Sequence, residues 1–148
     1  MATGDNRKSV IKMTDITKSY YIGQPNELQI LFDINLDIKE GEFVSIVGPS
    51  GSGKSTLMNI IGALDRPTTG TYFLENTDIS KLNDKKLSEI RNQKIGFVFQ
   101  TFNLIPRTSA QKNVELPMLY AGSSRKERAE RAKELLKLVG MEDRANHK

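Results

Sequence analysis

Residues 43–56 read FVSIVGPSGSGKST, an apolar run that gives way to a glycine-rich turn and then to a lysine followed by hydroxyls. Phe43 to Val47 has the nearly continuous apolar character of a central strand covered on both faces. On the other side, Ser55 to Leu64 (STLMNIIGAL) is apolar enough for a largely buried helix, stopped by Asp65-Arg66-Pro67 and the turn TTG. Between them, Gly48 to Ser55 fits G-x-x-x-x-G-K-[ST], a pattern that carries meaning only when a strand precedes it and a helix follows, and both are expected here. A flexible Gly/Ser surface turn is the bland alternative, and the flanking elements argue against it.

Glycines at 48, 51 and 53 permit backbone angles closed to other residues, so that successive N–H groups point inward at an anion beside the positive end of the helix. Lys54 adds a full charge within reach of the β- and γ-phosphates of a nucleotide, and the Ser55 hydroxyl can ligate a Mg²⁺ that bridges phosphate oxygens. The phosphate-binding residues expected are therefore Gly48, Ser50, Gly51, Ser52, Gly53, Lys54, Ser55 and Thr56.

Working outward, Val10 to Ser19 alternates loosely as a strand, and Ile30, Phe32, Ile34, Leu36 and Ile38 recur every second residue, as on a strand with one buried face. These two strands are expected to pair. Thr71 to Leu74 reads as a short strand, Leu82 to Gln93 as a helix, and Ile95 to Phe99 (IGFVF) as a second buried strand that ends at Gln100. The remainder is helical: one helix near Ala110 to Leu116 that must bend or stop at Pro117, and another from Arg125 to Val139. Ser124 and Glu127 form a capping box for the latter, Ala129, Ala132, Leu135, Leu136 and Val139 its apolar stripe, and Gly140 its end.

Composition excludes several classes. With no cysteine among 148 residues, disulfides, thiolate metal sites and cysteine nucleophiles are absent, which fits a reducing cytoplasm. No run approaches the roughly 18 to 20 apolar residues of a membrane span, and MATGDNRKSV lacks the apolar core of a signal peptide, so a cytoplasmic protein is expected. The net charge of +4 comes from 22 basic residues against 18 acidic ones that mostly alternate, as in RKERAERAKE; this reads as a solvated helix face and not as a nucleic-acid surface.

Hydrolysis needs more than a phosphate cradle, since a carboxylate must sit at the metal and another group must place the attacking water. Asp33 precedes the loop on an alternating strand, and Glu142 and Asp143 trail a helix through Gly140, so none is a metal-binding strand end. His147 is the sole histidine, and its terminal position suits solvent exposure better than catalysis.

Taken together, ITKSYY, INLDIKEGEFVSIVGPSGSGKSTLMNIIGALDRPTTG, IGFVFQTFNLIP and NVELPMLYAG resemble the ATP-binding subunit of ABC transporters, in the branch of lipoprotein-releasing and macrolide-export ATPases. The resemblance implies an α/β fold: a P-loop NTPase core of ABC type with an N-terminal antiparallel β part and the beginning of a helical subdomain. It places the core in residues 1–100 and the helical start in 101–148, with the later part of such a domain, including its signature motif, acidic pair and switch histidine, not among these residues. It implies that Tyr20, or its neighbour Tyr21, stacks on adenine, with strand packing as the alternative. It implies that Gln100 contacts Mg²⁺ and the attacking water, which an amide can do through its carbonyl oxygen and its N–H, whereas a strand-capping role is the plain alternative. Phe102, Leu104 and Ile105 are open to two readings, a surface for the membrane partner or core.

The cofactors implied are ATP and Mg²⁺. The partners implied are a transmembrane permease subunit and a second nucleotide-binding domain meeting the first head to tail, at the cytoplasmic face of the membrane. These residues by themselves are expected to bind ATP with little turnover, and to be poorly stable where strands lack neighbours. The competing readings are a non-catalytic nucleotide-dependent binding module, or another P-loop NTPase such as a small kinase or GTPase, although no Asn-Lys-x-Asp guanine-reading motif is present.

Overall fold

The computed structural model describes residues 7–148, which fall into two compact units, one running to Ser88 and the other from Glu89 to Lys148. The division lies inside a helix.

The first unit is built on an antiparallel four-stranded sheet, β1 (Ser9–Tyr20), β2 (Leu28–Lys39), β3 (Thr69–Leu74) and β4 (Thr77–Asp78), in the order β2-β1-β3-β4. The expected pairing of the first two strands is present. Helix α1 (Lys54–Ile61) follows the glycine-rich loop, and α2 (Asp84–Lys94) crosses the division. Met13, Ile16, Leu31, Ile60, Tyr72, Leu74, Ile79 and Leu87 form the core, each less than a tenth exposed. The Tyr72 hydroxyl donates to the Ile61 carbonyl at 2.7 Å and so ties the end of α1 to β3.

The face of β2 differs from the simple alternation. Leu31 is buried at 4% while Phe32 is 63% exposed, because Asp33 adopts a left-handed conformation (φ 47°) and inserts an extra residue. From Ile16↔Ile34 to Lys18↔Leu31, two steps along β1 span three along β2. From Met13↔Leu36 to Ile16↔Ile34 the imbalance is reversed, with Asp15 (φ 51°) as the extra residue on β1. These two shifts cancel, and two further ones, between Ser9 and Ile11 and between Lys18 and Ser19, offset each other in the same way. Asn35 bridges them, its Oδ1 accepting from the Asp15 N–H at 3.0 Å and its Nδ2 donating to the Asp33 carbonyl at 3.0 Å.

Two expected strands are not strands. Residues 43–47 and 95–99 have no regular secondary structure and join no ladder among the described residues, and Phe43, Val47 and Val98 are 96%, 85% and 96% exposed. Their apolar composition favours a covered strand, yet a strand exists only where a neighbour accepts its N–H and C=O groups. The pairs found, β1 with β2, β1 with β3 and β3 with β4, are all antiparallel, and none of them includes these two runs.

The second unit contains α3 (Ala110–Tyr120), α4 (Arg125–Leu138) and a short 3₁₀ turn (Glu142–Arg144). Of the bend or stop expected at Pro117, the stop does not occur: α3 runs one further turn, where the Pro117 carbonyl accepts from Asn92 Nδ2 at 2.9 Å and from the Ala121 N–H at 3.0 Å. The first N–H groups of α3 are satisfied by the carbonyls of His147 (to Ala110, 2.8 Å) and Ala145 (to Gln111, 2.9 Å), and the Ser109 side chain accepts from Lys112. The capping box of Ser124 and Glu127 is formed, and Gly140 ends α4's turn at φ 69°. Of the apolar stripe, Ala132 and Leu136 are buried, whereas Val139 is 64% exposed. Among the described residues no helix is long and apolar enough to cross a membrane.

Candidate functional site

The glycine-rich stretch forms one compact loop entering α1. Gly51 (φ 80°) and Gly53 (φ 85°) take left-handed conformations, and the Ser52 N–H bonds the Pro49 carbonyl at 3.3 Å. A Cβ on Gly48 would stand 2.8 Å from Ser52 Oγ, and one on Gly53 would stand 3.0 Å from Leu31 Cδ2 and 3.3 Å from the Ile30 carbonyl. Gly53 therefore does two things: it supplies the turn into α1 and it lets the loop lie directly against β2.

Lys54 folds back over this loop. Its Nζ donates to the carbonyls of Gly48 (2.9 Å) and Pro49 (2.6 Å), with a longer contact of 3.4 Å to Ser52 Oγ. An ammonium has three donors, so two are held by the backbone and the third, weakest contact is the one an anion would replace. The start of α1 is also open to an anion. No side chain caps it and its first turn holds no acidic residue, whereas α3 and α4 are each capped by a serine. Ser55 is exposed, and its hydroxyl bonds no protein group among the described residues. A bare helix start, a fixed lysine and a free hydroxyl fit a phosphate chain with a bound divalent cation.

Tyr20 stands at the end of β1, half-buried, while Tyr21 is 58% exposed with φ 55°. The Tyr20 hydroxyl donates to Asp65 Oδ2 at 3.3 Å, and Lys18 Nζ lies 4.9 Å from the ring centroid and 2.7 Å from Asp65 Oδ1. Burial works against the Asp65 charge, but hydrogen bonds from Lys18, the Arg66 N–H and Tyr20 outweigh it and hold the carboxyl below the usual carboxylate range. Asp65, a plain helix stop by sequence, thus links the segment after α1 to the strand bearing Tyr20. Nothing in the local pattern marks this link, since Lys18 and Tyr20 lie more than forty positions away in the chain.

Gln100 belongs to the second unit, where it is exposed in a bend after a segment without regular structure and does not end a strand. Phe102, Leu104 and Ile105 are 91%, 61% and 46% exposed, so the core reading of these three fails. The second unit holds a carboxylate that sequence reasoning missed. Glu115 is 4% exposed, bonded to Lys112 Nζ at 2.8 Å and Gln111 Nε2 at 3.0 Å, and the Lys112 bond above all holds it below the usual range. Among the described residues no cluster of three or more histidine or acidic side chains could hold a metal ion.

Comparison with known proteins places this geometry. A family model described as ABC transporter matches residues 31–148. The chain is 57% identical over 138 residues to the uncharacterized ABC transporter ATP-binding protein YknY of Bacillus subtilis, covering 93% of this chain and 60% of that protein. It is 49% identical over 139 residues to the macrolide export ATP-binding/permease protein MacB of Brucella abortus, covering 94% of this chain and 21% of the relative. Among solved structures, the ATP-binding cassette MJ0796 of Methanocaldococcus jannaschii, a dimer in a post-hydrolysis state with ADP and Pi, superposes with a TM-score of 0.85 at 51% identity. That match covers 93% of this chain and 61% of the other. The chain thus spans about three fifths of the length of such single-domain relatives.

Proposed function

The chain belongs to the ABC transporter family, and from that premise we propose that it is the ATP-binding part of a transport ATPase, holding Mg-ATP at the loop of residues 48–56. The observation that carries the proposal is the Lys54 ammonium, pinned on the Gly48 and Pro49 carbonyls, with its third donor on a 3.4 Å contact to Ser52 Oγ that an anion would replace. The backbone N–H groups of the loop and of the α1 start bind the phosphates, and Lys54 balances their charge. Tyr20 stacks on the adenine. Ser55 would hold a Mg²⁺ that neutralises charge on the phosphate oxygens, and the family resemblance gives Gln100 a part in metal binding. Gln100 also orients the attacking water through its amide. We assign residues 1–100 to the nucleotide-binding core and 101–148 to the start of the helical subdomain.

In the working transporter this part meets a second nucleotide-binding domain head to tail and engages a transmembrane permease at the cytoplasmic face. The exposed apolar side chains of Phe102, Leu104 and Ile105 suit that second contact. No nucleic acid enters this reading. The 148 residues by themselves bind ATP with little turnover, because none of the carboxylates among the described residues meets the needs of the metal and the water.

Titration calorimetry with Mg-ATP tests the proposal. Saturable binding is expected, and Lys54→Ala is expected to weaken it by tenfold or more, on the order of 1.4 kcal/mol per factor of ten. Unchanged affinity in that variant would sink the reading, and hydrolysis abolished by the same substitution would refute the low turnover.

A further inference from the structure

Lys18 and Tyr20 are two residues apart on β1 and so project from the same face of the strand. Their side chains close a triangle with Asp65. Lys18 Nζ bonds Asp65 Oδ1 at 2.7 Å and the Arg66 carbonyl at 2.8 Å while lying over the Tyr20 ring; Asp65 Oδ2 accepts from the Tyr20 hydroxyl. The Lys18 side chain is 11% exposed, and Asp65 is held in turn by the Arg66 N–H at 2.7 Å. A tyrosine at a strand end would otherwise sample several rotamers, and Tyr21 beside it has no such grip: it is exposed, with a positive φ. A cation over one ring face and an acceptor at the hydroxyl leave one face of the ring for a ligand.

We propose that Lys18 and Asp65 are positioning residues that fix Tyr20 before the nucleotide arrives, with Lys18 covering one ring face so that the purine stacks on the other. The inference rests on the reading of Tyr20 as the adenine contact. It adds the reason that Tyr20, and not Tyr21, takes the base: a ring already ordered loses little freedom on stacking, whereas ordering a free side chain weakens binding by about two- to tenfold.

Calorimetry with two probes, Mg-ATP and inorganic tripolyphosphate with Mg²⁺, separates the base from the phosphates. The full 148-residue chain is compared with Tyr20→Phe, Asp65→Asn and Tyr20→Ala. Tyr20→Phe and Asp65→Asn are each expected to weaken ATP about two- to tenfold and to leave tripolyphosphate unchanged, and Tyr20→Ala to lose more of the ATP preference. Tyr20→Phe removes a single oxygen, so it keeps the test decisive even if Asp65→Asn unfolds. If Tyr20→Ala loses the ATP preference while Tyr20→Phe and any folded Asp65→Asn keep it, the positioning inference is overturned and the adenine contact stands. If Tyr20→Ala also keeps the preference, both fall. Parallel loss of tripolyphosphate binding in Tyr20→Phe would mean that the triangle only supports the loop, which also overturns the inference.

Discussion

At the scale of single residues, backbone freedom decides more than side-chain chemistry. Gly70 on β3 has φ 92°, and a Cβ there would stand 2.5 Å from the Asp15 carbonyl oxygen and 2.6 Å from that of Thr14. The Asp15 bulge brings this backbone close, so the glycine and the bulge require each other. Gly23 has a similar φ of 73° but open space around it. Gly70→Ala is therefore expected to lower stability by at least about 2 kcal/mol, and Gly23→Ala by only about 1 kcal/mol, the strain of the positive φ without the clash. Urea midpoints of the two variants check this, and equal shifts would refute it. The glycines of the 48–53 loop were legible from spacing alone, because the phosphate motif fixes their positions. Gly70 was not, since its need arises from a strand more than fifty residues earlier.

At the scale of elements, the two runs read as buried strands behave differently from the four that pair. Residues 43–47 and 95–99 keep strand-like composition, but among the described residues they lack ladder partners and expose Phe43, Val47 and Val98. Bare, uncharged extended segments are templates for pairing with other chains. The 148-residue chain is expected to self-associate as its concentration rises. Phe43→Lys with Val98→Lys is expected to slow this several-fold while changing monomer stability by no more than about 0.5 kcal/mol, since both positions are exposed. Light scattering at a series of concentrations measures it, and an unchanged rate in the double variant would locate the cause elsewhere. The helices were read more accurately, because the cap at Ser124, the stripe along α4 and Gly140 are local signals. The turn of α3 beyond Pro117 was missed, since its support comes from Asn92, outside that helix.

At the scale of the whole molecule, the carboxyls at Asp37, Asp65, Asp78, Glu115 and Glu127 are all held below their usual range. Asp37 owes this first to Lys39, Asp78 to Ser80, and Glu127 to Ser124. A depressed carboxyl stabilises the fold above its unfolded pKa of about 4, and that contribution is lost as pH falls through the folded value. Tyr72 acts in the opposite sense. Burial raises its hydroxyl, so its contribution is complete below the unfolded tyrosine value of about 10 and is lost as pH climbs beyond it. Stability is thus expected to be flat near neutrality and to fall below about pH 4 and above about pH 10. Thermal midpoints across pH check this, and Tyr72→Phe should lose part of the alkaline decline; a decline centred near pH 6 to 7 would contradict the assignment. The sequence by itself determined the glycine-rich turn into α1, the pairing of β1 with β2, the helix limits set by caps, and the family, because each depends on spacing within a short window or on the ordered set of such motifs. Only the tertiary structure decided the paired bulges at Asp15 and Asp33, the grip of Lys18 and Asp65 on Tyr20, and which apolar runs became strands. Those outcomes depend on hydrogen-bond partners that lie far away in the chain, and no local pattern of residues encodes which distant group will arrive.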